Sequence, residues 1–191
     1  MRLVMASGNA HKAAEIRQIL SAHMIEQRPS WVGEVDENAE TLAGNARLKA
    51  RAICEATGTA AVADDTGLEV DALGGLPGVR SARFAGDSAT DEENLRKLLK
   101  SLEAVPSDER GARFRTVAIV AFPDGKELVT EGVANGMIAE VPRGNGGFGY
   151  DSLFVPDEGT GLSFAEMSET EKNLISHRGK AFRSLAQLLQ S

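Results

Sequence analysis

The sequence predicts a mixed α/β protein in which helices pack around a long twisted sheet, and three stretches carry that prediction. Residues 3–6 are apolar and stop at Ser7-Gly8-Asn9, after which Ala13, Ile16, Ile19 and Leu20 fall at helical spacing. Strand, small-residue loop, helix is the opening unit of many α/β folds. Residues 40–57 place Leu42, Ala46, Ala50 and Ile53 on one stripe and Thr41, Asn45 and Lys49 on another, giving a helix one apolar and one polar face. Residues 114–122 are apolar at odd and even positions alike, as in a central strand covered on both sides.

Taken in order, the first helix is expected over residues 11–23. A second strand follows over 24–32, with Pro29 weakening its middle or placing it at an edge. Gly58 closes the helix over 40–57. Residues 60–63 read as a short buried strand that ends abruptly at Asp64-Asp65-Thr66-Gly67, and residues 68–73 resume a strand before the turn cluster Gly74-Gly75-Leu76-Pro77-Gly78. Thr90 and Glu93 form a capping box that opens a helix carrying Leu95, Leu98, Leu99 and Leu102. Pro123-Asp124-Gly125 turns the central strand into a hairpin partner over 128–139. A glycine-rich loop over 144–149 precedes a strand over 152–155. Ser168 and Glu171 form another capping box, and the last helix uses Phe182, Leu185 and Leu189 as its core face. With no internal repeat and no long linker, residues 1–191 read as one domain, or one compact unit built from two lobes.

At 42% hydrophobic residues the chain has ordinary globular composition and enough length to bury a core. Its 28 acidic and 21 basic residues leave a formal charge of −7, which disfavours nucleic acid as a partner, because Lys and Arg must neutralise its phosphates. A polyphosphate ligand would have to be attracted by local donors and a metal instead. Cys54 is the only cysteine, so an intramolecular disulfide and a Cys-rich zinc site are both excluded. No signal-peptide segment and no apolar stretch of membrane-spanning length is found, and a cytoplasmic protein is expected.

Five constellations could carry chemistry. Ser7-Gly8-Asn9-Ala10-His11-Lys12 lies at a helix amino terminus, where backbone N–H groups and a lysine favour an anion. It departs from the P-loop spacing, and a capped first turn with a surface lysine would look the same. Asp64-Asp65 follows a buried strand, where carboxylates suit Mg²⁺; a solvated turn is the plain alternative. Asp36, Glu37 and Glu40 precede the polar stripe of Asn45 and Lys49, either to complete a metal site or to complement the helix dipole. Gly146-Gly147-Phe148-Gly149-Tyr150-Asp151 combines permissive backbone with two aromatics, of which Phe148 suits stacking on a purine and Tyr150 a place in the core. Ser176-His177-Arg178 adds donors able to meet a carbonyl or a phosphate. No Gly-x-Ser-x-Gly elbow supports a serine hydrolase, and His11 and His23 read as surface residues.

Taken together these segments resemble the inosine triphosphate pyrophosphatase family. The matching pieces are Ser7-Gly8-Asn9 with Lys12, Thr41 through Asn45-Ala46 with Lys49-Ala50, Ala63 to Leu68, Leu73 to Gly78, Gly147 to Asp151, Ala165-Glu166-Met167, Glu171-Lys172-Asn173 and Ser176-His177-Arg178, in the family's order over nearly the whole chain. The resemblance implies a Mg²⁺-dependent nucleoside triphosphate pyrophosphatase acting on ITP, dITP and XTP, a homodimer of elongated α/β fold with its active site in a groove between two lobes. It implies that residues 7–12 (Ser7, Gly8, Asn9, Ala10, His11, Lys12) and Lys49 hold phosphates. Asp65 would bind the metal and help activate water, with Glu37 the preferred second ligand and Asp36 its competitor. Thr66 would touch the substrate and Phe148 would stack on the base within the loop Phe148, Gly149, Tyr150, Asp151. Lys172, His177 and Arg178 would join Asp151 in recognising base and phosphate. Gly44 stands where the family usually carries glutamate, and Ala39 where it often carries glycine. A pyrophosphatase for another modified nucleotide, and a nucleotide-binding sensor without hydrolysis, are the competing functions.

Overall fold

The computed structural model describes residues 1–190. Among them the strands are Arg2–Met5 (β1), Met24–Glu26 (β2), Ala61–Val70 (β3), Pro77–Gly78 (β4), Gly111–Ala121 (β5), Glu127–Ile138 (β6) and Phe154–Pro156 (β7). The helices are Ala10–Ile19 (α1), Leu42–Thr57 (α2), Asp91–Ser101 (α3), Glu169–Ile175 (α4) and His177–Leu188 (α5). The strands form one open sheet in the order β2-β1-β3-β5-β6-β7, with β4 beside β3. β1 runs parallel to β2 and to β3, with Val4 opposite Ala61, and the connections through α1 and α2 are the crossovers that parallel pairing requires. β4 and β7 pair antiparallel with β3 and β6, so the sheet is mixed, as expected. No helix of the described residues is long and apolar enough to cross a membrane.

Local signals placed most elements. Thr41 caps α2 by accepting from the Gly44 N–H at 3.0 Å, and Gly58 ends it in the left-handed conformation at φ 63°. Thr90–Glu93 and Ser168–Glu171 both form complete capping boxes. Several bounds differ from expectation. α1 ends at Ile19, four residues early, and β2 spans only Met24–Glu26, because Gln27 to Arg28 and Pro29 leave the ladder. The final helical stretch is two helices, broken where Ser176 turns extended at φ −68° and ψ 155°. His23 is half-buried with both ring nitrogens shielded and unbonded; burial first, then the chain's amino terminus, lowers its pKa.

The chain divides into two compact units. The first takes Met1–Asp65, Thr116–Gly132 and the residues from Arg178 on; its core gathers Leu3, Met5, Ile16, Leu20, Val62 and Phe182. Within it α2 is pinned to β6 by Arg47 and Arg51, whose Nε atoms donate to the two oxygens of Glu127 at 2.9 and 2.7 Å. The second takes Thr66–Arg115 and Val133–His177, around Leu68, Val70, Leu98, Leu102, Phe114 and Phe154. There β3 and β4 approach so closely that a Cβ on Gly67 would stand 2.6 Å from the Gly78 carbonyl oxygen. Backbone cannot yield cheaply, so Gly67→Ala is expected to cost about 1–3 kcal/mol. Urea unfolding should show a lower midpoint at unchanged slope.

Candidate active site

Two neighbouring residues in the first unit, Asp64 and Asp65, organise its chemistry. Both were expected at the end of a short strand, with a solvated turn as the alternative. β3 instead runs straight through them for ten residues, and they are 1% and 7% exposed. Successive side chains of a strand point to opposite faces, and the partners divide accordingly. Asp64 Oδ2 lies 3.3 Å from Lys12 Nζ and accepts from Arg178 Nε and Nη2 at 3.3 Å. Asp65 accepts from Asn45 Nδ2 at 3.2 Å and from Lys49 Nζ at 3.3 Å. Two buried carboxylates persist in mid-strand because each has cations brought to it by helices α1, α2 and α5.

The two acids are not electrostatically alike. Burial pushes the Asp64 pKa up, but Lys12, Arg178 and Lys49 together outweigh burial and hold it below the usual carboxylate range. For Asp65 burial prevails: Lys49 and Lys12 oppose it, the Glu37 and Asp64 carboxylates reinforce it, and the pKa is raised. Burial lowers the Lys49 pKa, yet Asp65, Asp64 and Glu37 overcome that and keep it a firm cation. Asp65 therefore sits where a proton or a further positive charge is welcome.

Glu37 completes this group. Lys49 Nζ donates to Glu37 Oε2 at 3.0 Å as well as to Asp65, so two carboxylate oxygens converge on one ammonium. Asp36 is exposed, so of the two competing acids the structure brings Glu37 to Asp65. Among the described residues no group of three or more His, Cys, Asp or Glu side chains forms a metal cage. Two hard carboxylates suit a Mg²⁺ ion that takes its remaining ligands from water and phosphates.

The loop entering α1 presents a helix amino terminus. Asn9 caps it, accepting from the Lys12 N–H at 3.1 Å, and Ser7 Oγ accepts from the Asn9 N–H at 3.2 Å. Gly8, Asn9, Ala10 and His11 are exposed there. Arg28, which the sequence reading passed over within its longer second strand, adds a cation: its Nη1 donates to the Gly33 carbonyl at 3.2 Å. Its Nη2 lies 3.5 Å from where a Cβ on Gly8 would stand.

Arg178 has a different setting from the one expected. It is 1% exposed, and its Nη1 donates to Glu15 Oε2 at 2.5 Å while Nε and Nη2 face Asp64. It spans two buried carboxylates rather than standing ready for a base or a phosphate. Glu15 was missed altogether; an acid on the polar side of a first helix carries no sequence signal for such a partner.

The remaining candidates gather in the second unit. Asp151 is buried, and its Oδ2 accepts from the Phe148 N–H at 2.9 Å and from Lys172 Nζ at 2.7 Å. Gly147 makes that fold of the loop possible: its φ is 69°, and a Cβ would stand 2.2 Å from Asp151 Oδ2. Phe148 remains half-exposed with Lys172 Nζ 5.0 Å from its ring centroid. Gly149 donates its N–H to Asp91 at 2.8 Å. Tyr150 is a core residue, its hydroxyl donating to the Ser81 carbonyl at 2.8 Å; burial, then Asp91, raises its pKa above the tyrosine range. His177 is buried and stacks on Phe114 with centroids 4.5 Å apart. Thr66 is half-buried, next after Asp65 on β3.

The first unit thus defines a class: an α/β protein with an anion-receptive strand–loop–helix turn and, beside it, a lysine that bridges a carboxylate of β3 to one from the segment before α2. The chain belongs to the Ham1 family, whose model matches residues 3–188. It is 47% identical to a dITP/XTP pyrophosphatase of Nitratidesulfovibrio vulgaris over 97% of this chain and 94% of the relative. It is 45% identical to a dITP/XTP pyrophosphatase of Streptomyces coelicolor over 99% and 97%. Among solved structures, a HAM1 protein from Coxiella burnetii superposes with a TM-score of 0.90 at 38% identity, covering 100% of this chain and 98% of the other.

Proposed function

We propose that this protein is a Mg²⁺-dependent nucleoside triphosphate pyrophosphatase, a single domain over residues 1–191, that hydrolyses ITP, dITP and XTP to monophosphate and pyrophosphate. The observation that carries the reading is the convergence of Glu37 and Asp65 on Lys49, with Lys12 bound to the adjacent Asp64. Relatives over nearly the whole chain that bear the name dITP/XTP pyrophosphatase support the substrate class.

The donor set fits the metal, since Asp65 and Glu37 offer hard oxygens that Lys49 already draws together. When bound there, Mg²⁺ supplies neutralisation of phosphate charge and a more acidic water. Residues 7–12 and Lys49 bind the triphosphate oxygens, Lys12 being held in reserve on Asp64. Asp65 orients the water that attacks the α-phosphorus and takes up its proton. Phe148, over which Lys172 sits, offers its ring to the base, while Asp151 holds the loop that presents it. For His177 the reading rests on resemblance: a 6-oxo purine offers it an acceptor where adenine offers a donor, and an unmatched buried group costs about 1–3 kcal/mol. The same reading makes the protein a cytoplasmic homodimer, open to light scattering.

The test is pyrophosphate release from ITP, dITP, XTP, GTP and ATP, each with Mg²⁺ and with EDTA. Metal-dependent release concentrated on the first three is expected. Equal rates on all five would discard the base-recognition roles, and nucleotide binding without any release would leave the sensor.

A further inference from the structure

Asn45 closes a ring that the proposed reaction does not use directly. Its Oδ1 accepts from the Ala39 backbone N–H at 2.9 Å, and its Nδ2 donates to Asp65 Oδ2 at 3.2 Å. The orientation of this amide is fixed by chemistry, because a backbone N–H can only donate and a carboxylate can only accept. Two residues before Ala39, Glu37 binds Lys49, and Lys49 binds Asp65. The segment bearing Glu37 is therefore tied to Asp65 twice: through a lysine, and through Asn45, which is itself 1% exposed. Substrate phosphate would compete for the lysine tie. The amide tie is anchored at both ends and buried, so it can hold the segment when the lysine turns away.

The neighbouring position makes room for this arrangement. A Cβ on Gly44 would stand 2.6 Å from the Ala39 Cβ and 3.1 Å from Thr41 Oγ1. The Ala39 Cβ is fixed to its backbone, so a methyl at 44 would have to lift the segment off α2 and lengthen the Ala39–Asn45 bond. Segment, amide and empty glycine position fit only together.

We propose that Asn45 is a positioning residue that clamps the Glu37-bearing segment to Asp65, and that Gly44 is the slot into which the segment closes. The clamp sets the separation of the two carboxylates while Lys49 is free to turn toward phosphate. This rests on the metal-binding reading given above, but its first readout is independent of activity.

The experiment follows amide hydrogen exchange of residues 36–40 in the metal-free protein, then kcat, KM for ITP and the Mg²⁺ concentration for half-maximal rate. Gly44→Ala should raise exchange of the Ala39 amide and raise the Mg²⁺ requirement about 10–100-fold, the usual penalty for losing support behind a metal ligand. KM for ITP at saturating metal should change little. Adding Ala39→Gly to Gly44→Ala should restore both readouts. Had the methyl acted through Thr41 and the helix cap, that second change would restore neither. Asn45→Asp should keep the Ala39 amide protected, because its carboxylate still accepts there, yet alter the metal requirement by setting a like charge against Asp65. Unchanged exchange and metal requirement in Gly44→Ala, or failure of the Ala39→Gly rescue, overturns the proposal. If the wild-type protein proved to lack metal-dependent turnover, the exchange arm would still decide whether the clamp exists.

Discussion

Turnover of ITP is expected to fall about 10²–10⁴-fold when Asp65 is replaced by Asn, the range for removing a proton-accepting group from a reaction. The substitution keeps shape and an acceptor for the Asn45 amide, and Lys49 keeps Glu37. Stability should move the other way. Asp65 has a raised pKa in the folded chain, so folding binds its proton more tightly than the unfolded chain does. Such a group costs stability as pH rises through the ordinary carboxylate range, and a neutral amide removes that cost. A dead enzyme with an unchanged or higher urea midpoint at pH 7 is the expected pair of results. Near-normal turnover would take Asp65 out of the reaction, and a collapsed midpoint would make it structural.

The same strand shows what local sequence can and cannot carry. Capping boxes at Thr90–Glu93 and Ser168–Glu171 and the turn at Pro123-Asp124-Gly125 were legible because cause and effect lie within four residues. The stripe of Leu42, Ala46, Ala50 and Ile53 was legible because burial on one face repeats at helical spacing. Asp64-Asp65-Thr66-Gly67 read as a break in the strand because acids and glycine are turn residues. What keeps the acids inside a strand is Lys12 and Arg178 on Asp64, the latter 114 positions further along the chain, and Asn45 and Lys49 on Asp65; no pattern in the segment itself announces them. Arg178 in turn looked available because its other partner, Glu15, is 163 positions away.

The two departures at the head of α2 belong to the same lesson. Gly44 and Ala39 looked like separate losses from the resembled pattern, but the Ala39 Cβ occupies the space a side chain at 44 would need. Read singly, the absent glutamate put the acidic set in question. Read as a packed pair, position 44 serves close approach, while Glu37 and Asp65 meet on Lys49.

Arg178→Ala should destabilise the protein by about 3–5 kcal/mol, the cost of leaving buried carboxylates without their cation. The side chain is 2% exposed and serves Glu15, 10% exposed, and Asp64, 0% exposed, so little solvent can replace it. Lys12 would still reach Asp64, while Glu15 would lose the guanidinium it binds. Arg178→Lys should recover only part of the loss, since a single nitrogen replaces the three that reach Glu15 and Asp64 separately. The pH dependence follows from the sign at Asp64. Its folded pKa is depressed, so the stability it contributes is complete above the ordinary carboxylate range and is lost as pH falls toward the folded value. The gap between wild type and Arg178→Ala should therefore be widest near neutrality and narrow below about pH 4, where carboxylates protonate in the unfolded chain. Urea titrations at several pH values, with the ITP-to-ATP rate ratio measured alongside, separate the two roles assigned to this residue. Lost stability with an unchanged ratio makes Arg178 a structural cation for Asp64 and Glu15. A normal midpoint with a collapsed ratio would return it to the base, and would require the guanidinium to leave Glu15 and Asp64 when nucleotide binds.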